Sequence, residues 1–167
     1  MKKLREQSTD PETYIIDILT HKLCNPNEEI EARLELARKF MQEAREYLEK
    51  GNAVQASEKL YKVAEECVKA LATKFNIPEA QEAHREGKWW TKLLSKAAKT
   101  LTTKLNEPTI NRGWSIAYDL HVWGFHEAAL TIDQVKASLP DIEQLLKKTQ
   151  QLAQTQNRTG IEKEPIT

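Results

Sequence analysis

Apolar residues recur at alternating spacings of four and three from Ile30 through Leu34, Ala37, Met41 and Ala44 to Leu48, which is the signature of one helical face. Leu36, Phe40 and Tyr47 widen that stripe, and Glu28, Glu31, Glu35, Arg38, Lys39, Glu46 and Glu49 occupy most of the remaining circumference. The helix opens at Asn25-Pro26-Asn27-Glu28. Asn25 can cap it, Pro26 brings a preset φ to the first turn, and Glu28 can reach back to the cap amide. Gly51 supplies the stop.

Asn52 restarts the chain as a second cap, with Gln55 at the reciprocal position. Ala53, Ser57, Leu60, Ala64, Cys67, Val68, Leu71 and Phe75 then share roughly a third of a helical circumference. Half of that face is small, which lets a neighbouring helix approach closely and predicts a central position for this element. Asn76 and Pro78 end it. Two long helices folded back on each other at Gly51-Asn52 cannot cover their own apolar stripes. The pattern therefore predicts an all-α, up-and-down helical bundle of four to five main helices built on a long αα-hairpin.

The other elements follow from the same periodicity. Asp10-Pro11 starts a short helix carrying Tyr14, Ile15, Ile18, Leu19 and Leu23, expected to lid the hairpin with its apolar side. Glu79 to Glu86 forms a short surface helix before Gly87. Lys88 to Leu105 is a helix bounded by Gly87 and Pro108. From Thr109 to Phe125 few charges occur, and Trp114, Ala117, Tyr118, His121 and Phe125 keep helical spacing beside Leu120 and Trp123, so a buried core helix ending near Gly124 is expected. The last helix is capped by Thr131 with Gln134 opposite, and runs through Val135, Leu139, Ile142, Leu146 and Leu152. Pro140 either kinks it or splits it. Residues 10–155 read as one domain, flanked by flexible tails at 1–9 and 156–167.

Composition narrows the function classes. The chain has 167 residues with 25 basic and 25 acidic side chains, so no bulk field draws it to nucleic acid or anionic membrane, and any such binding must be local. Cys24 and Cys67 form no CxxC pair and read as free thiols of a reducing, cytoplasmic compartment. No signal peptide opens the chain, and no apolar run approaches the ~18 residues that span a bilayer. GxSxG, GxxxxGK and GxGxxG motifs are absent, and no cofactor is implied.

The local charge lies at Gly87–Asn106, which has five lysines and no acid. On a helix, Lys88, Lys92, Lys96 and Lys99 fall within about 80° of one another, opposite Trp90, Leu94, Ala97, Ala98, Leu101 and Leu105. Such a row can hold phosphates, with Trp89 at its edge offering a ring for a base to stack on. The competing reading is a solvated lysine face. Asp17 and His21, one turn apart, have metal-ligand spacing but no second pair, and read as a surface hydrogen-bonded pair. His121 and His126 flank Trp123 and read as satisfied core or interface histidines. The four tryptophans read as core or interface residues.

The string LEKGNAVQASEKLYKVAEECVKALA, from Leu48 to Ala72, resembles the signature hairpin of HEPN-type helical domains, and more narrowly the archaeal paREP-type paralogous-repeat branch. GWSIAYDLHVWGFHE, from Gly113 to Glu127, is similar to the same branch. The resemblance implies a four- or five-helix bundle, frequent homodimers, and relatives that bind nucleotides or cut RNA. Ribonuclease members carry Arg, four to six intervening residues, then His. Here none of His21, His84, His121 and His126 has an arginine five to seven positions before it. The nearest pair, Arg112 and His121, lies about 13 Å apart along one helix and on opposite faces. The expectation is a non-enzymatic HEPN-like module that binds a nucleotide, RNA or a protein such as a nucleotidyltransferase. The alternative is a diverged toxin-type ribonuclease whose site joins Arg112 and His121 across a dimer.

Overall fold

The computed structural model describes residues 11–155, so the two expected tails lie outside the described residues. Among the described residues seven α-helices follow one another: α1 (Pro11–Leu23), α2 (Pro26–Glu49), α3 (Ala53–Lys74), α4 (Pro78–Glu86), α5 (Thr91–Leu105), α6 (Pro108–Asp119) and α7 (Ile132–Gln154). A π-helical turn, Leu120–His126, continues α6. There is no strand among the described residues. Helices α2, α3, α5, α6 and α7 make the expected bundle.

Local chemistry sets the helix ends as the sequence implies. Asn25 Oδ1 accepts from the Glu28 amide at 3.0 Å, and Glu28 Oε2 accepts from the Asn25 amide at 3.0 Å. Asn52 caps α3 through the Gln55 amide, without the expected reciprocal bond from the Gln55 side chain, and Gly51 makes the turn at φ +70°, a conformation only glycine adopts without strain. Thr131 and Gln134 form the box that opens α7. Pro140 sits inside a continuous α7, where it leaves the solvent-facing Lys136 carbonyl without its helical donor.

α3 is the axis of the bundle. It packs against α2, α4, α5, α6, the π turn and α7, and every residue from Leu60 to Ala72 is buried. Of the small residues on its predicted face, Ser57, Ala64 and Cys67 are fully enclosed and Ala53 is partly buried, and the helix makes its most extensive packing with α2 and α7. Close approach recurs at Gly113, where a Cβ would stand 2.8 Å from Leu145 Cβ on α7, and at Gly124, where it would overlap Ser57 Oγ on α3.

Two expectations are overturned. α1 does not lid the hairpin with its apolar side: Thr13, Asp17 and Thr20 are buried, whereas Tyr14, Ile15 and Leu19 are 44%, 54% and 49% exposed. The reason is a buried charge cluster beneath it, described below. The helix from Thr109 is not buried throughout either. Trp114 and Ala117 enter the core, while Tyr118 near the end of α6 and Trp123 within the π turn face outward. No helix among the described residues is long and apolar enough to cross a membrane.

Candidate functional site

Two helices meet at the predicted lysine row, and they split it. α4 ends at Gly87, whose φ of +72° stops the helix, and α5 begins only at Thr91. Lys88 therefore lies on the connection. Lys92, Lys96 and Lys99 remain on one exposed face of α5, opposite buried Leu93, Leu94, Ala97, Ala98 and Leu101. α5 has no acidic residue, and none of these lysines is ion-paired among the described residues. Trp89 is misplaced by the sequence reading. It is 6% exposed and packs into the core, so it offers no ring for stacking; Trp90, half-buried, is extended at φ −134° just before the helix.

Lys88 instead borders a cleft of about 580 Å³ between α1, α4 and the adjoining ends of α2 and α3. Asp17, His21, Arg33, His84, Arg85 and Trp89 also line it. Asp17 and His21 are not a surface pair. His21 meets His84 edge-on, with ring centroids 3.7 Å apart. Asp17 turns inward and accepts from Arg33 Nη1 at 2.9 Å and from Lys69 Nζ at 3.1 Å. Glu66 Oε2 takes Arg33 at 3.0 Å, Glu65 Oε1 takes Lys69 at 3.0 Å, and Glu29 closes the cluster on Arg33 at 3.0 Å.

Burial opposes the charge on Arg33 and Lys69, but the carboxylates around them outweigh it: Glu66, Asp17 and Glu29 for Arg33, Glu65, Glu66 and Asp17 for Lys69. Both cations are held more firmly protonated than usual. Burial pushes the Glu65 carboxyl above its ordinary range despite Lys69. Each of these four carboxylates is paired to Arg33 or Lys69, so the cluster is a structural joint of α1, α2 and α3.

A second constellation surrounds the π turn. His121 Nδ1 lies 3.0 Å from Glu58 Oε2 on α3, and His121 Nε2 lies 3.0 Å from His126 Nε2. Tyr61 stacks on the His121 ring at 4.0 Å. Burial, reinforced by Glu65, raises the Tyr61 phenol well above its ordinary value, so it stays neutral. Glu58 fixes which nitrogen of His121 faces outward. Nothing near His121 in the chain marks Glu58 as its partner, since it lies sixty-three positions away. Arg112 is elsewhere: it is 71% exposed and pairs with Asp141 on α7 at 3.0 Å, so one chain does not bring Arg112 and His121 together. Cys67 is buried at the α3–α7 contact, where burial pushes its thiol up to about 12; Cys24 is partly exposed at the cleft. Neither forms a disulfide.

An all-α bundle with a charged cleft, a lysine-bearing helix and a histidine-bearing π turn defines a small helical module. The chain belongs to the archaeal PaREP1/PaREP8 family, whose model matches residues 32–146, from the second turn of α2 into α7. It is similar to a crystal structure of a Sulfolobus solfataricus protein, with 37% identity over 70% of this chain and 94% of that one and a TM-score of 0.63. A solution structure titled as the Orf c02003 protein is 36% identical over 72% of this chain and 94% of that one, with a TM-score of 0.62. No curated protein matches the chain.

Proposed function

We propose that the protein is a HEPN-like module of the cytoplasm, dimeric and non-enzymatic, that binds a nucleotide, an RNA, or a protein partner such as a nucleotidyltransferase. The observation that carries this reading is the row of Lys92, Lys96 and Lys99, exposed, free of ion pairs among the described residues, and on a helix without acids. In a chain of zero formal net charge, such a row concentrates positive potential on one face. Lys88 and Arg85 extend it to the mouth of the cleft. With Trp89 buried, attraction rests on phosphate charge, which predicts binding that weakens steeply with salt and reads bases poorly.

Fluorescence anisotropy with labelled single-stranded RNA at 50 and 200 mM salt tests it. Lys92→Glu with Lys96→Glu should weaken binding at least tenfold and flatten the salt dependence, and unaltered binding removes the proposal. Light scattering tests the dimer.

A second reading has its own support. Glu58 on one nitrogen of His121 leaves the other nitrogen oriented, which is how a carboxylate prepares an imidazole for proton transfer. A diverged ribonuclease would then draw Arg112 from a second subunit. Cleavage of labelled RNA that vanishes in both His121→Ala and Arg112→Ala supports this reading, and RNA left intact by the unaltered protein rejects it.

A further inference from the structure

His121 and His126 are five residues apart, which on a regular α-helix places side chains about 140° from each other. The π winding changes that. The Glu127 amide donates to the Val122 carbonyl at 2.9 Å, an i→i−5 bond, and this wider turn sets His126 edge-on to His121 with their Nε2 atoms 3.0 Å apart. Single π turns are costly relative to α-helix and gather at functional sites. Here the turn has one evident product, the converging pair of imidazole nitrogens.

We propose that this pair is a binding site for a divalent late transition-metal ion of the nickel and copper class. Three observations support it. Two metal–nitrogen bonds of about 2.1 Å at a right angle put the nitrogens about 3.0 Å apart, the separation found here, and tetragonal nitrogen sites suit Cu²⁺ and Ni²⁺. His121 presents its distal nitrogen to Glu58, the outer carboxylate that orients a metal-bound imidazole and raises its basicity. Both rings are also held in place, His121 between Tyr61 at 4.0 Å and Phe125 at 6.0 Å, and His126 against Phe125 at 5.1 Å. Among the described residues no third His, Cys, Asp or Glu converges on the pair, so water takes the remaining positions. The site is open and independent of the lysine row.

Isothermal titration of the untagged, chelator-stripped full chain with NiCl₂ or CuCl₂ tests the assignment. One ion per chain should bind. The exposed His126→Ala change should weaken binding at least tenfold with circular dichroism unchanged, and Glu58→Gln should weaken it about ten- to a hundredfold. His84→Ala, which alters the other histidine contact in the molecule, should leave it unchanged. Absence of saturable binding, or binding that survives His126→Ala, overturns the site; affinity unmoved by Glu58→Gln overturns the part given to Glu58.

Discussion

Asp17 Oδ1 lies 2.9 Å from Arg33 Nη1, and this buried ion pair joins α1 to α2. Removing Arg33 leaves the buried carboxylates of Asp17 and Glu66 with Lys69 alone as their cation, and breaking a buried pair costs about 3–5 kcal/mol. Arg33→Met is therefore expected to lower the urea midpoint by that equivalent with an unchanged slope. A loss under about 1 kcal/mol would show that the cluster is not desolvated as the structure places it.

Asp17→Asn should act more locally. It weakens the contacts to Arg33 and Lys69 that hold α1, yet leaves α2 and α3 packed on each other. Hydrogen exchange is expected to accelerate across Pro11–Leu23 while the amides of α3 stay protected. Uniform acceleration would contradict this.

Gly124 faces Ser57 too closely for any side chain. Gly124→Ala is expected to cost about 1–3 kcal/mol, as overpacking does, and Ser57→Gly in the same chain should recover part of it. Strict additivity in the double-mutant cycle would refute the contact.

Glu65 gives stability a pH dependence whose sign is fixed by burial. Its folded-state pKa is raised, so folding favours the protonated acid; the cost of ionising it is absent below the unfolded carboxylate range and grows as pH rises toward the folded value. Glu65→Gln minus wild-type stability should thus move in favour of the variant as pH rises from about 4, the ordinary carboxylate range. A constant difference over that rise would reject the assignment.

The two thiols should differ. Cys67 is enclosed with its thiol pushed up to about 12, whereas Cys24 is partly exposed. Ellman's reagent at pH 8 is expected to titrate one thiol in the native protein and two in denaturant. Two fast native equivalents would place Cys67 nearer the surface.

Sequence was readable where chemistry is local. Asn25 with Glu28, Gly51, and Thr131 with Gln134 act within a few residues, so their spacing announced the helix ends now observed. The small face of α3 announced its central place for a related reason: residue volume alone decides how close a neighbour comes. Partnerships across the chain were not readable. Asp17 meets Lys69 fifty-two positions away, and nothing near Asp17 hints that a cation is buried there. A uniform 3.6-residue period hid the π turn, so the meeting of His121 and His126 was missed. Starting the lysine helix three residues early placed Trp89 outside when it lies inside.

The reversed amphipathicity of α1 governs what its departure would uncover. Peeling off an ordinary amphipathic helix bares a greasy scar that invites clumping. Beneath this one lie Arg33, Glu66 and Lys69, which water solvates readily, so a detached state stays wettable along that seam.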